Sequence, residues 1–124
     1  MTLDFLGSLQ RTQMCGELRA EQAGQDVVLM GWVNRRRDHG SLIFLDVRDR
    51  SGITQVVIDE EKSGAAHAKA EAARPEYVVA VKGRVRRRGT GLENPNMPTG
   101  EIEVVADELL LLNESKTPPF SPAE

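Results

Sequence analysis

The chain has little of what several protein classes require. One cysteine, Cys15, in 124 residues builds no disulfide framework and points to an intracellular protein. That cysteine and two histidines are too few for a closed zinc site, so no metal site is expected. No apolar run approaches the roughly 18 residues of a membrane-spanning helix. The opening MTLDFLGSLQRTQM has neither a basic n-region nor a long apolar core, which excludes a secretory signal. There is also no excess of positive charge. The formal net charge is −3 and the pI near 5.5, so the whole molecule does not attract nucleic acid. What is there fits one folded domain. Hydrophobic residues make up 40% and charged residues 28%, a soluble globular composition. A core of this size fills one small barrel or sandwich and leaves little room for a catalytic domain.

The basic residues are unevenly placed. Arg35, Arg36, Arg37, Arg48 and Arg50 form one group, and Lys82, Arg84, Arg86, Arg87 and Arg88 a second. Both fall on expected strands. Each group alone reads equally as solvated strand residues. Two together point to a local phosphate-binding face on an acidic body.

Periodicity predicts five strands and one short helix. Residues 1–15 are a loose lead-in, and Gly16 to Ala23 holds a helical turn ended by Gly24. Strands are expected over Asp26–Arg37, Ser41–Arg48, Ile53–Asp59, Glu76–Arg88 and Glu101–Leu112, from their β-branched and aromatic content. Gly31 inside the first strand suggests a bend or bulge. Asp38-His39-Gly40 and Arg50-Ser51-Gly52 are turns. The alanine-rich Ser63–Arg74 is the helix, stopped by Pro75. Gly89–Gly100 is a long loop, and the proline-containing Asn113–Glu124 an extended linker. Five strands with a helix between the third and fourth is the order of an OB-fold, a five-stranded Greek-key barrel. SH3-like barrels and other small β folds are the rivals.

Alternation separates core from surface. Ile43, Leu45 and Val47 share one face of the second strand, and Leu42, Phe44 and Asp46 the other. Thr54, Val56 and Ile58 oppose Gln55 in the third; Ile102 and Val104 oppose Glu103 in the fifth. The apolar sets are the core faces, which turns Phe44, Gln55 and Glu103 outward near the arginines. An aromatic ring, an amide, a carboxylate and guanidinium groups together suit stacking and base-edge recognition. The alternative for Phe44 is a plug at a barrel end, and for Gln55 a solvated polar side chain. Trp32, in opposite phase to Arg35 and Arg37, reads as structural. His67 in the helix reads as a surface or partly buried side chain, and Cys15 as unreactive.

The runs GWVNRRRDHGSLIFLDVRDRSGITQVVID (Gly31–Asp59) and NPNMPTGEIEV (Asn94–Val104) resemble the N-terminal anticodon-binding domain of bacterial aspartyl-tRNA synthetases, class IIb enzymes. The resemblance covers about residues 13–113. It implies an OB barrel that grips the tRNA anticodon loop. It also implies a catalytic domain beyond the linker at 114–124, of which this chain carries no motif. By position, Phe44 matches a phenylalanine that stacks on an anticodon base, Gln55 a glutamine that bonds the middle uracil, and Glu103 an acid that helps read the first base. Arg37 matches an arginine at the anticodon. Arg35 and Arg36 are expected at phosphates, and Asn94 at the third base.

The family divides into enzymes charging only the aspartate tRNA and enzymes also charging the asparagine tRNA, two tRNAs whose anticodons differ at the third base. The relaxed group resembles this chain in having histidine at the position of His39 and glycine at that of Gly91. The alternatives are a plain turn residue for His39 and a positive-φ position for Gly91. The resemblance further implies tRNA(Asp) and tRNA(Asn) as partners, ATP and Mg2+ as cofactors of the full enzyme only, a homodimer, and a cytoplasmic location. The competing function is a free-standing OB module that binds single-stranded nucleic acid without ligase activity.

Overall fold

The structure is a computed structural model that describes residues 10–113. The expected linker at 114–124 and most of the expected lead-in lie outside the described residues. The described elements are β1 (Asp26–His39), β2 (Leu42–Asp49), β3 (Gly52–Asp59), α1 (Gly64–Ala72), β4 (Val78–Arg87) and β5 (Ile102–Asn113). They close in the order β1-β2-β3-β5-β4, with β4 returning to β1. Every pairing is antiparallel except that of β3 with β5. This is the five-stranded OB barrel, with its helix in the crossover from β3 to β4. The crossover is forced, because β4 is not the neighbour of β3.

Alternating apolar residues fill the interior. Val27, Leu29 and Val33 of β1, Ile43, Leu45 and Val47 of β2, and Val56 and Ile58 of β3 are buried in one cluster. Val79, Val81 and Val85 of β4 join Ile102, Val104, Leu109 and Leu111 of β5 there. Alanine fits α1 closely against this core, where Ala66 and Ala70 are buried. Ser63 caps the helix by accepting the Ala66 N–H, and its hydroxyl donates to the Asp107 carbonyl at 2.9 Å.

Several boundaries differ from the periodicity. β1 continues through Asp38 and His39, which pair with Ile43 and Leu42, so the turn contracts onto Gly40 (φ 76°). The Asp38 carboxylate tightens it by accepting the Gly40 N–H at 2.9 Å. β4 starts at Val78, not Glu76, because Glu76 holds a left-handed φ of 76°. The helical turn expected over Gly16–Ala23 is two 3-10 turns, Cys15–Glu17 and Ala20–Gln22. Between them Leu18 is extended and buried in the core.

The largest departure is a bulge. The β1–β2 register shifts between Val33 and Arg35, leaving Asn34 as the extra residue. A bulge inverts the phase of every later side chain. Trp32 therefore lies on the same outer side as Arg35 and Arg37, which corrects the opposite phase expected for it. Arg36 takes the inner phase, opposite Leu45.

Asp49 ties the amino-terminal segment to the barrel. Its carboxylate accepts from the Cys15 N–H at 2.7 Å and from the Ser51 N–H at 2.8 Å, and from the Ser51 hydroxyl. Burial alone pushes a carboxyl pKa up, yet the Ser51 and Cys15 hydrogen bonds outweigh it and hold Asp49 below the ordinary range. A depressed folded pKa stabilises the fold above the unfolded value, about 3.9, and that contribution is lost as pH falls through the folded value. Asp49→Asn is expected to lower the urea midpoint at pH 7, and its deficit relative to wild type to shrink at pH 3. Equilibrium unfolding at the two pH values checks this. Burial, with Asp49 adding to it, raises the Cys15 thiol well above its usual pKa, so it stays protonated.

Candidate nucleic-acid interface

Barrel register brings the outward polar residues into one row. Arg35 stands opposite Asp46, and Asp46 opposite Gln55. Val56 pairs with Val104, which sets Gln55 beside Glu103, and Glu103 stands opposite Arg86. A second row begins with Arg37 opposite Phe44, followed by Val57.

Hydrogen bonds connect these rows into a ladder. An Arg37 Nη donates to Asp46 Oδ1 and to Gln55 Oε1, each at 3.0 Å. The Gln55 amide NH2 donates to Glu103 Oε1 at 2.9 Å, and Arg86 Nε–H donates to Glu103 Oε2 at 2.7 Å. The ladder reads Asp46, Arg37, Gln55, Glu103, Arg86, two negative and two positive groups around one neutral amide. Its middle is shielded: Gln55 and Glu103 each retain 8% exposure although both point away from the core. Behind it lies Arg88, also buried, whose Nε–H donates to the Ile102 carbonyl at 2.9 Å. Burial lowers the Arg88 pKa; Glu103 and Asp46 oppose that effect and Arg37 adds to it.

Phe44 is half-buried on the outer side, while its neighbours Ile43 and Leu45 enter the core. It plugs no barrel end. The Arg37 guanidinium lies 5.5 Å from its ring centroid, a cation–π distance. The His39 ring meets it edge-on at 5.5 Å and 85°. His39 is thus exposed at the strand end and joins the aromatic platform.

The remaining expected residues divide. Arg35 is exposed and has no ion pair or hydrogen bond with the described residues. Arg36 faces elsewhere: its Nη donates to the Glu71 carbonyl at 2.8 Å, at the carboxyl end of α1. The inner phase set by the bulge sends it there, where the helix leaves carbonyls without partners. Asn94 stands in the long loop, not in the ladder. Its N–H donates to the Gly100 carbonyl at 2.9 Å, and it lines an open cleft of about 480 Å³ with Glu93, Pro95, Met97, Pro98 and Glu101. Gly91 holds φ +87° with open space around its Cα, the positive-φ alternative. Among residues that phase alone did not single out as site residues, Asp46 and Arg86 complete the ladder. The signal for Arg86 is its pairing with Glu103, visible only once β4 and β5 are in register. His67, expected as a surface or partly buried side chain, is buried and bonds the Gly40 carbonyl through Nε2 at 2.7 Å.

A closed OB barrel carrying a ring, an amide and a carboxylate on one outer face defines a class of nucleic-acid-binding domain. Residues 27–112 match the tRNA anti-codon family, an OB-fold nucleic acid binding domain, and the chain belongs to that family. It is 68% identical to an aspartate--tRNA(Asp/Asn) ligase of Acidobacterium capsulatum, over 98% of this chain and 20% of that protein. It is 62% identical to the enzyme of the same name from Moorella thermoacetica, over 97% of this chain and 20% of that one. The chain thus spans about one fifth of the length of these curated relatives. Among solved structures, asparaginyl-tRNA synthetase from Pyrococcus horikoshii superposes with a TM-score of 0.71 at 28% identity, covering 93% of this chain and 25% of that one.

Proposed function

We propose that this chain is the anticodon-reading domain of an aspartate--tRNA ligase, and that the full enzyme attaches aspartate to tRNA(Asp) and to tRNA(Asn). The observation that carries the proposal is the outer face on which Phe44, Gln55 and Glu103 stand together, in a chain so similar to ligases of that name. Phe44 stacks on a base, Gln55 reads the middle base and Glu103 the first. Arg35 meets phosphate, Asn94 lies near the third base from its loop, and Arg37 orients Gln55 while backing the ring. The domain contributes position, not chemistry: its binding energy places the distant acceptor end. ATP and Mg2+ serve an activation step carried out by residues outside this chain, in a cytoplasmic homodimer.

His39 against the platform and side-chain-free Gly91 support relaxed reading of the third base. Titration of stem-loops with anticodons G-U-C and G-U-U is the test. Affinities within about threefold of each other are expected, since a base actively rejected costs about 1–3 kcal/mol. A preference of tenfold or more for G-U-C would assign the chain to the strict group. Indifference to all anticodon bases would favour the free-standing single-strand binder.

A further inference from the structure

A primary amide has two flips of nearly identical shape and opposite chemistry. One presents its oxygen where the other presents its NH2. Gln55 lies between two groups that tolerate only one of them. On its oxygen side is Arg37, which can donate but never accept. On its nitrogen side is Glu103, which as a carboxylate accepts but never donates. Reversal would set NH2 against guanidinium and oxygen against carboxylate, replacing two charge-assisted bonds by two repulsions.

The two clamps are themselves held. Asp46 takes the same Arg37 Nη at 3.0 Å, and Arg86 takes the far oxygen of Glu103 at 2.7 Å. We propose that Asp46 and Arg86 are positioning residues that lock the Gln55 amide in one flip, so that the interface accepts uracil and rejects cytosine at the middle anticodon base. This rests on the role given to Gln55 above. The chemistry follows from the two base edges. The remaining lone pair and N–H of the locked amide form one acceptor–donor pair in a set order. Uracil carries an acceptor on each side of its N3–H donor, so it meets that order from either side. Cytosine offers its N4–H donor beside the N3 acceptor in one order only, the reverse of uracil's O4 beside N3–H. An amide held in the order that serves O4 and N3–H therefore meets cytosine donor to donor and acceptor to acceptor. A free amide would turn to suit it; a locked one cannot.

The test uses the 124-residue chain and two stem-loops differing only in U or C at the middle position, titrated over a salt series. Wild type is expected to favour U by about tenfold or more. Arg86→Gln and Asp46→Asn should cut that ratio severalfold, leave the salt slope unchanged, and let Arg86→Lys recover part of it. Arg86 is 55% exposed, so it could instead serve a phosphate. In that case Arg86→Gln weakens both loops equally and flattens the salt slope, which would overturn the proposal. A second readout needs no RNA. The two side-chain amide proton resonances of Gln55 in the free chain should be displaced from those of a solvated glutamine, and should move back toward them in Asp46→Asn and Arg86→Gln. A solvated signature in wild type sinks the lock, even if U is preferred. A locked signature without preference for U sinks instead the assignment of Gln55 to the middle base, and the discrimination with it.

Discussion

Phe44→Ala and Gln55→Ala are each expected to weaken binding to a G-U-C anticodon stem-loop by about 10–100-fold, with the fold intact. Removing the ring forfeits one stacked base, worth roughly 1–3 kcal/mol, and removing the amide forfeits a base-edge contact of similar size. The fold survives because neither residue belongs to the interior cluster. Without Gln55, Arg37 keeps Asp46 and Glu103 keeps Arg86, so neither charge is stranded. Titration in one low-salt buffer, with circular dichroism as the folding control, checks both. Equal affinity of wild type and both variants would remove Phe44 and Gln55 from the interface.

Three arginines of the basic clusters are already engaged within the barrel. Arg37 and Arg86 are committed to carboxylates, and Arg36 to the end of α1. The face around Gln55 is consequently close to neutral. Neutrality suits a surface that meets base edges, where an unbalanced charge would favour the backbone of any strand over the hydrogen-bonding pattern of one.

Phase alone turned Phe44, Gln55 and Glu103 outward as the structure has them, because no register shift interrupts β2 against β3 or β3 against the start of β5, and the more apolar set of each strand marks the inside. It failed on β1. Asn34 lies where Val33 gives way to three arginines, so no inward apolar side chain beyond it reveals that the phase has inverted. Trp32 takes the side opposite to its expected phase for that one reason. The ladder was hidden differently. Glu103 reaches Gln55 across the only parallel pairing of the barrel, 48 residues apart in the chain, and no local pattern reports such a register. The base-reading roles came from resemblance, since many OB barrels could carry a ring and an amide on the same face.

Gly31→Ala and Gly83→Ala are expected to damage the barrel wall severely, each lowering stability by about 3 kcal/mol. Glycine in a strand usually weakens it, so two inward glycines need a reason. At Gly31 a Cβ would come within 2.2 Å of the Arg48 carbonyl oxygen; at Gly83 it would come within 2.3 Å of the Val105 carbonyl oxygen. Both obstacles are backbone and cannot swing aside as a side-chain tip would. Gly31 sits where β1 passes from pairing with β4 to pairing with β2, and Gly83 beside the register shift between β4 and β5. At both places neighbouring strands approach more closely than any Cβ allows, which lets the five strands curl shut. Gly24→Ala is a contrasting control: its φ of +95° makes alanine strained, but nothing lies within 4 Å of the added carbon. It should cost only about 1 kcal/mol. Urea unfolding of the three variants checks the order. Should Gly31→Ala match Gly24→Ala, the strands can part at little cost, and close approach would not be what closes the barrel.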